Sequence, residues 1–201
     1  MTAYLFPGQG SQKLGMGEAL FHEFPEIVAQ ADDILGYSIV DLCLKDPNSV
    51  LNNTAFTQPA LYTVNALHYL KKLKDVGIKP DYFLGHSLGE YNALWAAGVF
   101  DFETGLKLVQ KRGQLMSQVA GGGMAAVIGM SYENVLSVLD KHGLKDLSIA
   151  NYNAYLQQVI SGSAEQILKA KPFFLAAGVK LYHPLPVNGA FHSPLVQKAR
   201  V

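Results

Sequence analysis

The pentapeptide Gly-His-Ser-Leu-Gly at residues 85–89 constrains the fold of this chain more than any other segment. A short apolar segment at residues 82–84 precedes it, and an apolar helical pattern at residues 90–97 follows it. A strand, a tight turn and a helix with glycines at both ends of the turn are typical of a nucleophile elbow. The pattern therefore predicts an α/β fold with Ser87 exposed at the apex of the turn and the Leu88 N–H close to it. A purely structural glycine turn is the alternative interpretation.

A serine nucleophile needs a base, and the chain has six histidines. His86 adjoins Ser87, but neighbouring side chains on a sharp turn point in different directions, which favours a structural role for His86. Three further histidines lie in predicted helices among surface-compatible residues: His22, His68 and His142. His192 lies in a loop after the last predicted strand, and such loops often contain the catalytic and binding residues of α/β folds. From the residues alone, His192 is either this base or an ordinary loop histidine.

Two further features allow more than one interpretation. The segment Pro-Gly-Gln-Gly-Ser-Gln at residues 7–12 lets backbone approach a ligand closely. It lacks the Walker ending and the third glycine of a dinucleotide fingerprint, so an oxyanion contact is favoured over nucleotide binding. Arg112 lies on an amphipathic helical pattern, where it is either a solvated surface charge or a binding residue.

The second half of the chain has a different pattern of predicted helices and strands. Three consecutive glycines at residues 121–123 resemble a linker, and the pattern that follows predicts the order β-α-β-β-α-β, which is ferredoxin-like. Pro172 is expected to kink or split the second of these helices, and no further helix or strand is predicted after residue 185. In the first half, a helix is predicted from residue 17 to residue 35.

The bulk composition excludes several classes of function. Lys plus Arg and Asp plus Glu each number 16 in the 201 residues, so there is no charge excess for binding nucleic acid or an acidic membrane. The chain shows no apolar span of membrane length and no signal peptide, so we expect a cytoplasmic protein. Cys43, the only cysteine, lies in an apolar run and is expected to be buried. No metal site is expected.

Five motifs in this order resemble the malonyl-CoA:acyl-carrier-protein transacylase family, and the similarity runs over the whole chain. They are Pro-Gly-Gln-Gly-Ser-Gln at 7–12, Thr-Gln-Pro-Ala-Leu at 57–61, Gly-His-Ser-Leu-Gly-Glu at 85–90, Lys-Arg-Gly at 111–113 and Gly-Ala-Phe-His at 189–192. The family includes the fatty-acid-synthesis enzyme and free-standing acyltransferases of polyketide synthases, and the polyketide type is slightly preferred. The resemblance implies an α/β-hydrolase-like core at 1–122 and 186–201, with an inserted ferredoxin-like subdomain at 123–185.

The resemblance also implies an activity and a role for each matching residue. The activity is transfer of a malonyl group from malonyl-CoA to the phosphopantetheine thiol of an acyl carrier protein, without a bound cofactor. The implied residues are Ser87 as nucleophile, His192 as base, Gln9 and Leu88 as the oxyanion hole, Arg112 as receptor of the malonyl carboxylate, Phe191 as the signature of malonyl over methylmalonyl, and Gln58 and His86 as further substrate-binding residues.

The chain departs from the family pattern after the histidine loop. The family's usual chain continues with further strands and with a backbone carbonyl that orients the histidine, so the hydrolase-like core is expected to be C-terminally incomplete here. We therefore expect residues 1–201 alone to be poorly stable or inactive. Two other functions stay open: a trans-acting hydrolase of acyl groups on the carrier protein, against which Arg112 argues, and an inactive docking fragment.

Overall fold

The computed structural model describes residues 1–187 and 189–199 of the chain. It divides into two compact units, Met1–Gln114 and Leu115–Val201, here called the first and the second unit. Helices and strands occur in both units, and the predicted α/β class is confirmed. Within the described residues, no helix combines the length and the apolar character needed to cross a membrane.

The first unit is built around two parallel strands and the helices that follow them. Its elements are β1 (Ala3–Phe6), α1 (Pro25–Leu35), α2 (Ile39–Leu44), α3 (Thr54–Val76), β2 (Tyr82–Gly85), α4 (Gly89–Ala96) and α5 (Phe102–Ser117), of which α5 runs past the boundary between the units. The pairing of β1 with β2 places Phe6 opposite Gly85. Because parallel strands end at the same edge of a sheet, the loop after β1 lies beside the turn after β2.

Local signals explain where most helices of the first unit begin and end. The Asn53 side chain accepts a hydrogen bond from the N–H of Ala55 at the start of α3, and the Asp101 carboxylate accepts one from Thr104 at the start of α5, as expected for N-caps. The predicted helix 17–35 was wrong in its first part, since α1 begins only at Pro25. Residues 14–23 form turns instead, because Gly17 adopts a left-handed φ of 80°.

A network of buried side-chain amides joins α3 to the loop after β1 and to α4. The Asn65 Nδ2 atom donates to the carbonyl of Pro7, 3.0 Å away, and to Oδ1 of Asn92, 3.1 Å away. The Asn92 Nδ2 atom donates to the carbonyl of Tyr62 at 2.9 Å. These bonds hold the loop after β1 and the helix α4 to the same helix, and Cys43 is fully buried in the adjoining apolar core, as expected.

The second unit contains an antiparallel sheet with two helices on one face. Its elements are β3 (Gly122–Ile128), α6 (Tyr132–Lys141), β4 (Ser148–Ala154), β5 (Gln157–Ser163), α7 (Ala164–Ala176), β6 (Leu181–Pro184) and a short 3₁₀ helix (Pro194–Ala199). The strands lie in the order β4-β5-β3-β6, with every neighbouring pair antiparallel. The described elements follow the predicted succession β-α-β-β-α-β.

Two local expectations for the second unit were wrong. Helix α7 is not split at Pro172, because Phe174 on its inner face is fully buried and anchors the last turn, whereas the alternative of a kink stays a prediction. The 3₁₀ helix Pro194–Ala199 follows the last strand, where no further helix was predicted. It starts where the Ser193 hydroxyl accepts a hydrogen bond from the N–H of Leu195.

The described part of residues 186–201 falls within the second compact unit, whereas the predicted return of the chain to the first domain at residue 186 stays a prediction. Phe191 packs with Met116, Met124 and Val159 in one apolar cluster, and the backbone at Ala190 lies against Gly122. These contacts explain why the described part of 186–201 belongs to the second unit. Asn188, Arg200 and Val201 of that segment lie outside the described residues.

Gly89, the first residue of α4, is where the helix comes closest to β1. A Cβ atom at this position would overlap the carbonyl oxygen of Phe6 and would lie 2.9 Å from that of Pro7. Both obstructing atoms belong to the backbone, so a side-chain rotation cannot relieve the overlap. Helix α4 can lie this close to β1 only because residue 89 has no side chain.

Replacing Gly89 with alanine is expected to lower the free energy of unfolding by about 3 kcal/mol. This value lies at the upper end of the usual cost of overpacking, because the backbone must move to accommodate the added methyl group. Urea denaturation followed by circular dichroism measures this change. Glu90→Ala serves as the control, since Glu90 is exposed in the same helical turn and should cost less than about 1 kcal/mol. Equal stabilities of the two variants would contradict the overlap.

Candidate active site

Ser87 lies in the turn between β2 and α4 with a left-handed backbone φ of 54°. This conformation costs a non-glycine residue about 1–2 kcal/mol and persists where the surroundings impose it. Here the turn is closed by hydrogen bonds from the N–H of Gly89 to the carbonyl of His86, 3.0 Å, and from that of Glu90 to the carbonyl of Ser87, 3.2 Å. The strained, half-buried serine has the backbone geometry of a nucleophile elbow.

The Arg112 guanidinium reaches this serine from α5. Its Nη2 atom donates to the Ser87 hydroxyl oxygen at 3.0 Å, and its Nη1 atom donates to Oε1 of Gln58 at 2.7 Å. Gln58 lies on α3 and is only 1% exposed. Hydrogen bonds therefore join three residues singled out in the sequence, which come from α3, from the turn after β2 and from α5.

Arg112 is a partly buried cation that forms no ion pair in the described part of the chain. No carboxylate there lies within ion-pairing distance of the guanidinium, and its two hydrogen-bond acceptors are neutral. Burial lowers the pKa of the guanidinium, and the nearby Tyr91 and Glu90 partly oppose this. An arginine keeps its charge at neutral pH all the same. Such a group provides a favourable contact for a carboxylate that enters the site.

A glycine next to Arg112 allows α5 to approach α3. A Cβ atom on Gly113 would lie 2.9 Å from the carbonyl oxygen of Thr54, which is closer than such atoms pack. The absence of a side chain at position 113 therefore brings the backbone of Arg112 near the start of α3, within reach of Gln58. This explains physically why a glycine follows the arginine in the Lys-Arg-Gly motif.

Two backbone N–H groups close to the elbow have no acceptor. Among residues 1–187 and 189–199, the amides of Gln9 and Leu88 donate to no protein atom. Leu88 is 0% exposed, so its N–H is shielded from water as well. The Gln9 side chain is held by a 3.1 Å bond to the Thr54 hydroxyl. Buried donors without acceptors are rare in proteins and often indicate where a ligand atom binds.

His86 supports the turn through its backbone. Its N–H donates to the carbonyl of Phe6 at 3.0 Å, and the backbone of Gly8 lies against its carbonyl group. The side chain is exposed. These contacts agree with the structural role expected for His86, whereas its assignment as a substrate-binding residue stays a prediction.

His192 and Phe191 belong to the second unit. His192 is exposed and, like Ser87, adopts a left-handed φ, here 57°. The next residue stabilises this bend, because the buried Ser193 hydroxyl donates to the carbonyl of Ala190 at 2.6 Å. The Phe191 ring is 8% exposed within its apolar cluster. The chain therefore holds the His192 backbone in a defined and unusual conformation.

Sequence reasoning missed Tyr91. Its ring centroid lies 5.7 Å from the central carbon of the Arg112 guanidinium, within the range of a cation–π contact. The one signal available was that Tyr91 directly follows the motif at residues 85–90. The sequence did not reveal the other half of the contact, which comes from α5.

Comparison with known proteins agrees with this geometry. Residues 3–200 match the model of the acyl transferase domain family. The chain is 59% identical over its whole length to the polyketide biosynthesis malonyl CoA-acyl carrier protein transacylase PksC of Bacillus subtilis, of which it covers 70%. It is 40% identical to the malonyl CoA-acyl carrier protein transacylase of the same strain, with 98% of this chain and 64% of that protein aligned.

A solved structure is similarly close. The malonyl CoA-acyl carrier protein transacylase from Burkholderia pseudomallei is 54% identical and superimposes with a TM-score of 0.93, covering 98% of this chain and 68% of that one. The chain thus spans about two thirds of the length of these relatives. The matched region contains the elbow serine, the buried arginine and the histidine loop, and the chain belongs to the acyl transferase domain family.

Proposed function

We propose that this chain transfers a malonyl group from malonyl-CoA to the phosphopantetheine thiol of an acyl carrier protein, through a malonyl ester on Ser87. The observation that carries the proposal is the Arg112 guanidinium, which is hydrogen-bonded to the Ser87 hydroxyl and has no carboxylate partner among the described residues. A cation beside the nucleophile suits an acyl group that carries a carboxylate of its own. The names of the relatives support the same substrate and carrier.

The first half of the reaction acylates the serine. His192 takes the Ser87 proton while the hydroxyl oxygen attacks the thioester carbonyl, and the free amides of Gln9 and Leu88 stabilise the oxyanion. The carbon–sulfur bond then breaks, and the CoA sulfur leaves with the proton that His192 returns. The shielded N–H of Leu88 supports this role, because a donor without an acceptor gains a full hydrogen bond when the oxyanion forms.

The second half transfers the acyl group. The phosphopantetheine thiol gives its proton to His192 and attacks the malonyl ester, after which the Ser87 oxygen leaves and recovers a proton. The two half-reactions share one site, so ping-pong kinetics are expected. The free carboxylate stays paired with Arg112 throughout, and an acetyl group cannot make this contact.

The polyketide pathway is the better supported setting. Within one Bacillus subtilis strain, the chain is 59% identical to the polyketide transacylase and 40% identical to the other malonyl transacylase. The second unit, with its β-α-β-β-α-β order and antiparallel sheet, supports its assignment as the ferredoxin-like subdomain. We propose that this subdomain is inserted into an α/β-hydrolase-like core.

The family pattern led us to expect that residues 1–201 alone are poorly stable or inactive, but the geometry around Ser87 favours a different outcome. Incubation with malonyl-CoA is expected to add one malonyl group to the intact mass of the chain, and Ser87→Ala should abolish the addition. Arg112→Ala should slow malonylation about 10- to 100-fold, because the lost charge-assisted hydrogen bond contributes about 1.5–3 kcal/mol to binding of the malonyl carboxylate. Acetylation from acetyl-CoA should change little. Time-resolved mass spectrometry measures both rates.

Lys111→Ala is the matched control, because Lys111 is the exposed neighbouring cation on the same helix. Equal effects of the Arg112 and Lys111 substitutions would refute the carboxylate contact. Malonylation of Ser87→Ala would refute the nucleophile. An adduct that forms and is lost to water faster than to an acyl carrier protein would favour the hydrolase, and no adduct at all would favour the inactive docking fragment.

Phe191 is expected to make the enzyme prefer malonyl-CoA over methylmalonyl-CoA. When the two esters compete, we expect the unaltered chain to load malonate, and Phe191→Ser to reduce this preference about 10- to 200-fold, since one methyl group is discriminated by about that factor. Val159→Ala removes volume from the same apolar cluster and controls for loss of packing. A methylmalonyl adduct on the unaltered chain would contradict the prediction.

A further inference from the structure

The Arg112 side chain is held by neutral groups from two other helices. Gln58 on α3 accepts a hydrogen bond from Nη1, 2.7 Å long. Tyr91 on α4 places its ring centroid 5.7 Å from the guanidinium carbon. Of these two, Gln58 belongs to a motif that the sequence identified, whereas Tyr91 was not assigned any role.

The neutrality of both contacts matters for a residue that must bind an anion. A carboxylate at the position of Tyr91 would neutralise the guanidinium and compete with the incoming substrate. An aliphatic side chain at position 91 would not attract the guanidinium. The long Arg112 side chain would then keep more of its rotamer freedom, and ordering it for each substrate would cost entropy. The aromatic face attracts the cation through its quadrupole, and a side-chain hydrogen bond with Tyr91 also favours the charged guanidinium without adding a negative charge.

We propose that Tyr91 is a specificity-determining positioning residue, whose ring holds the Arg112 guanidinium beside Ser87 with its charge and its donors available to the free carboxylate of the acyl donor. The inference rests on the proposed function, in which that carboxylate belongs to the malonyl group. Tyr91 acts through Arg112 and does not itself touch the reacting atoms.

The location of Tyr91 suits this role. Tyr91 lies in the first turn of the helix that begins at Gly89, directly after the elbow. Its N–H donates to the carbonyl of Leu88 at 3.0 Å, which ties the ring's backbone to the residue after the nucleophile. The same short segment thus carries the attacking serine, an unpaired amide donor and the surface that orients the arginine.

The test compares kcat/KM for malonyl-CoA and acetyl-CoA in three variants. Tyr91→Leu is expected to reduce the ratio of kcat/KM for malonyl-CoA to kcat/KM for acetyl-CoA about 3- to 30-fold, which corresponds to the energy of a partly buried cation–π contact. Only the value for malonyl-CoA should fall. Tyr91→Phe keeps the aromatic face and should retain the ratio within about threefold. Trp95→Leu is the matched control, since Trp95 lies one turn further along α4 and packs on Tyr69 and Phe102.

The outcomes separate the inference from the function on which it rests. A purely structural role for Tyr91 would lower both kcat/KM values together in Tyr91→Leu, as expected for Trp95→Leu, and would overturn the inference. An unchanged ratio in Tyr91→Leu, or an equal loss in Tyr91→Phe, would overturn it as well, even though the unaltered chain malonylates Ser87. If the unaltered chain gains no malonyl group at all, the proposed function fails and the inference fails with it.

Discussion

The close approach of β1 to the turn that follows β2 is the constraint on which the site in the first unit depends. Phe6 pairs with Gly85, and Gly89 lies directly against the carbonyl groups at the end of β1. This contact places the loop that contains Gln9 beside the serine turn, which brings its backbone donor to the region of the Leu88 amide. A side chain at position 89 would separate the two, which is why a small residue there has a chemical consequence as well as a structural one.

The proposed selectivity of this site rests on a partly buried guanidinium that forms no ion pair among the described residues. Placing the Arg112 guanidinium away from water is costly, and the protein compensates with neutral contacts to Gln58, Ser87 and Tyr91. A carboxylate from the protein would stabilise the arginine better but would leave nothing for a substrate to neutralise. Under the proposed function, the first unit gives up some stability of its own in exchange for a contact with an anionic acyl group, a compromise typical of functional sites.

Much of the local structure could be predicted from the sequence. The β-α-β-β-α-β order of the second unit follows from hydrophobic periodicity and from caps such as Ser163, which accepts a hydrogen bond from the N–H of Gln166. The prediction failed for the start of α1, where glycine conformations override the helical pattern, and for a split at Pro172, where packing of Phe174 outweighs the cost of proline. The grouping of Phe191 with Met124 was also beyond local patterns, because it depends on contacts between residues far apart in the chain.

The sequence by itself determined the turn at Ser87, since two glycines around a serine between a strand and a helix allow few other conformations. It also contained the motifs that place the chain in its family. Only the tertiary structure decided what Arg112 does, because its partner Gln58 lies 54 residues away and a helical arginine is by default a surface charge. The packing of α3, α4 and α5 brings Gln58, Tyr91 and Arg112 together, and such packing depends on side-chain fit between distant segments, which no local pattern encodes.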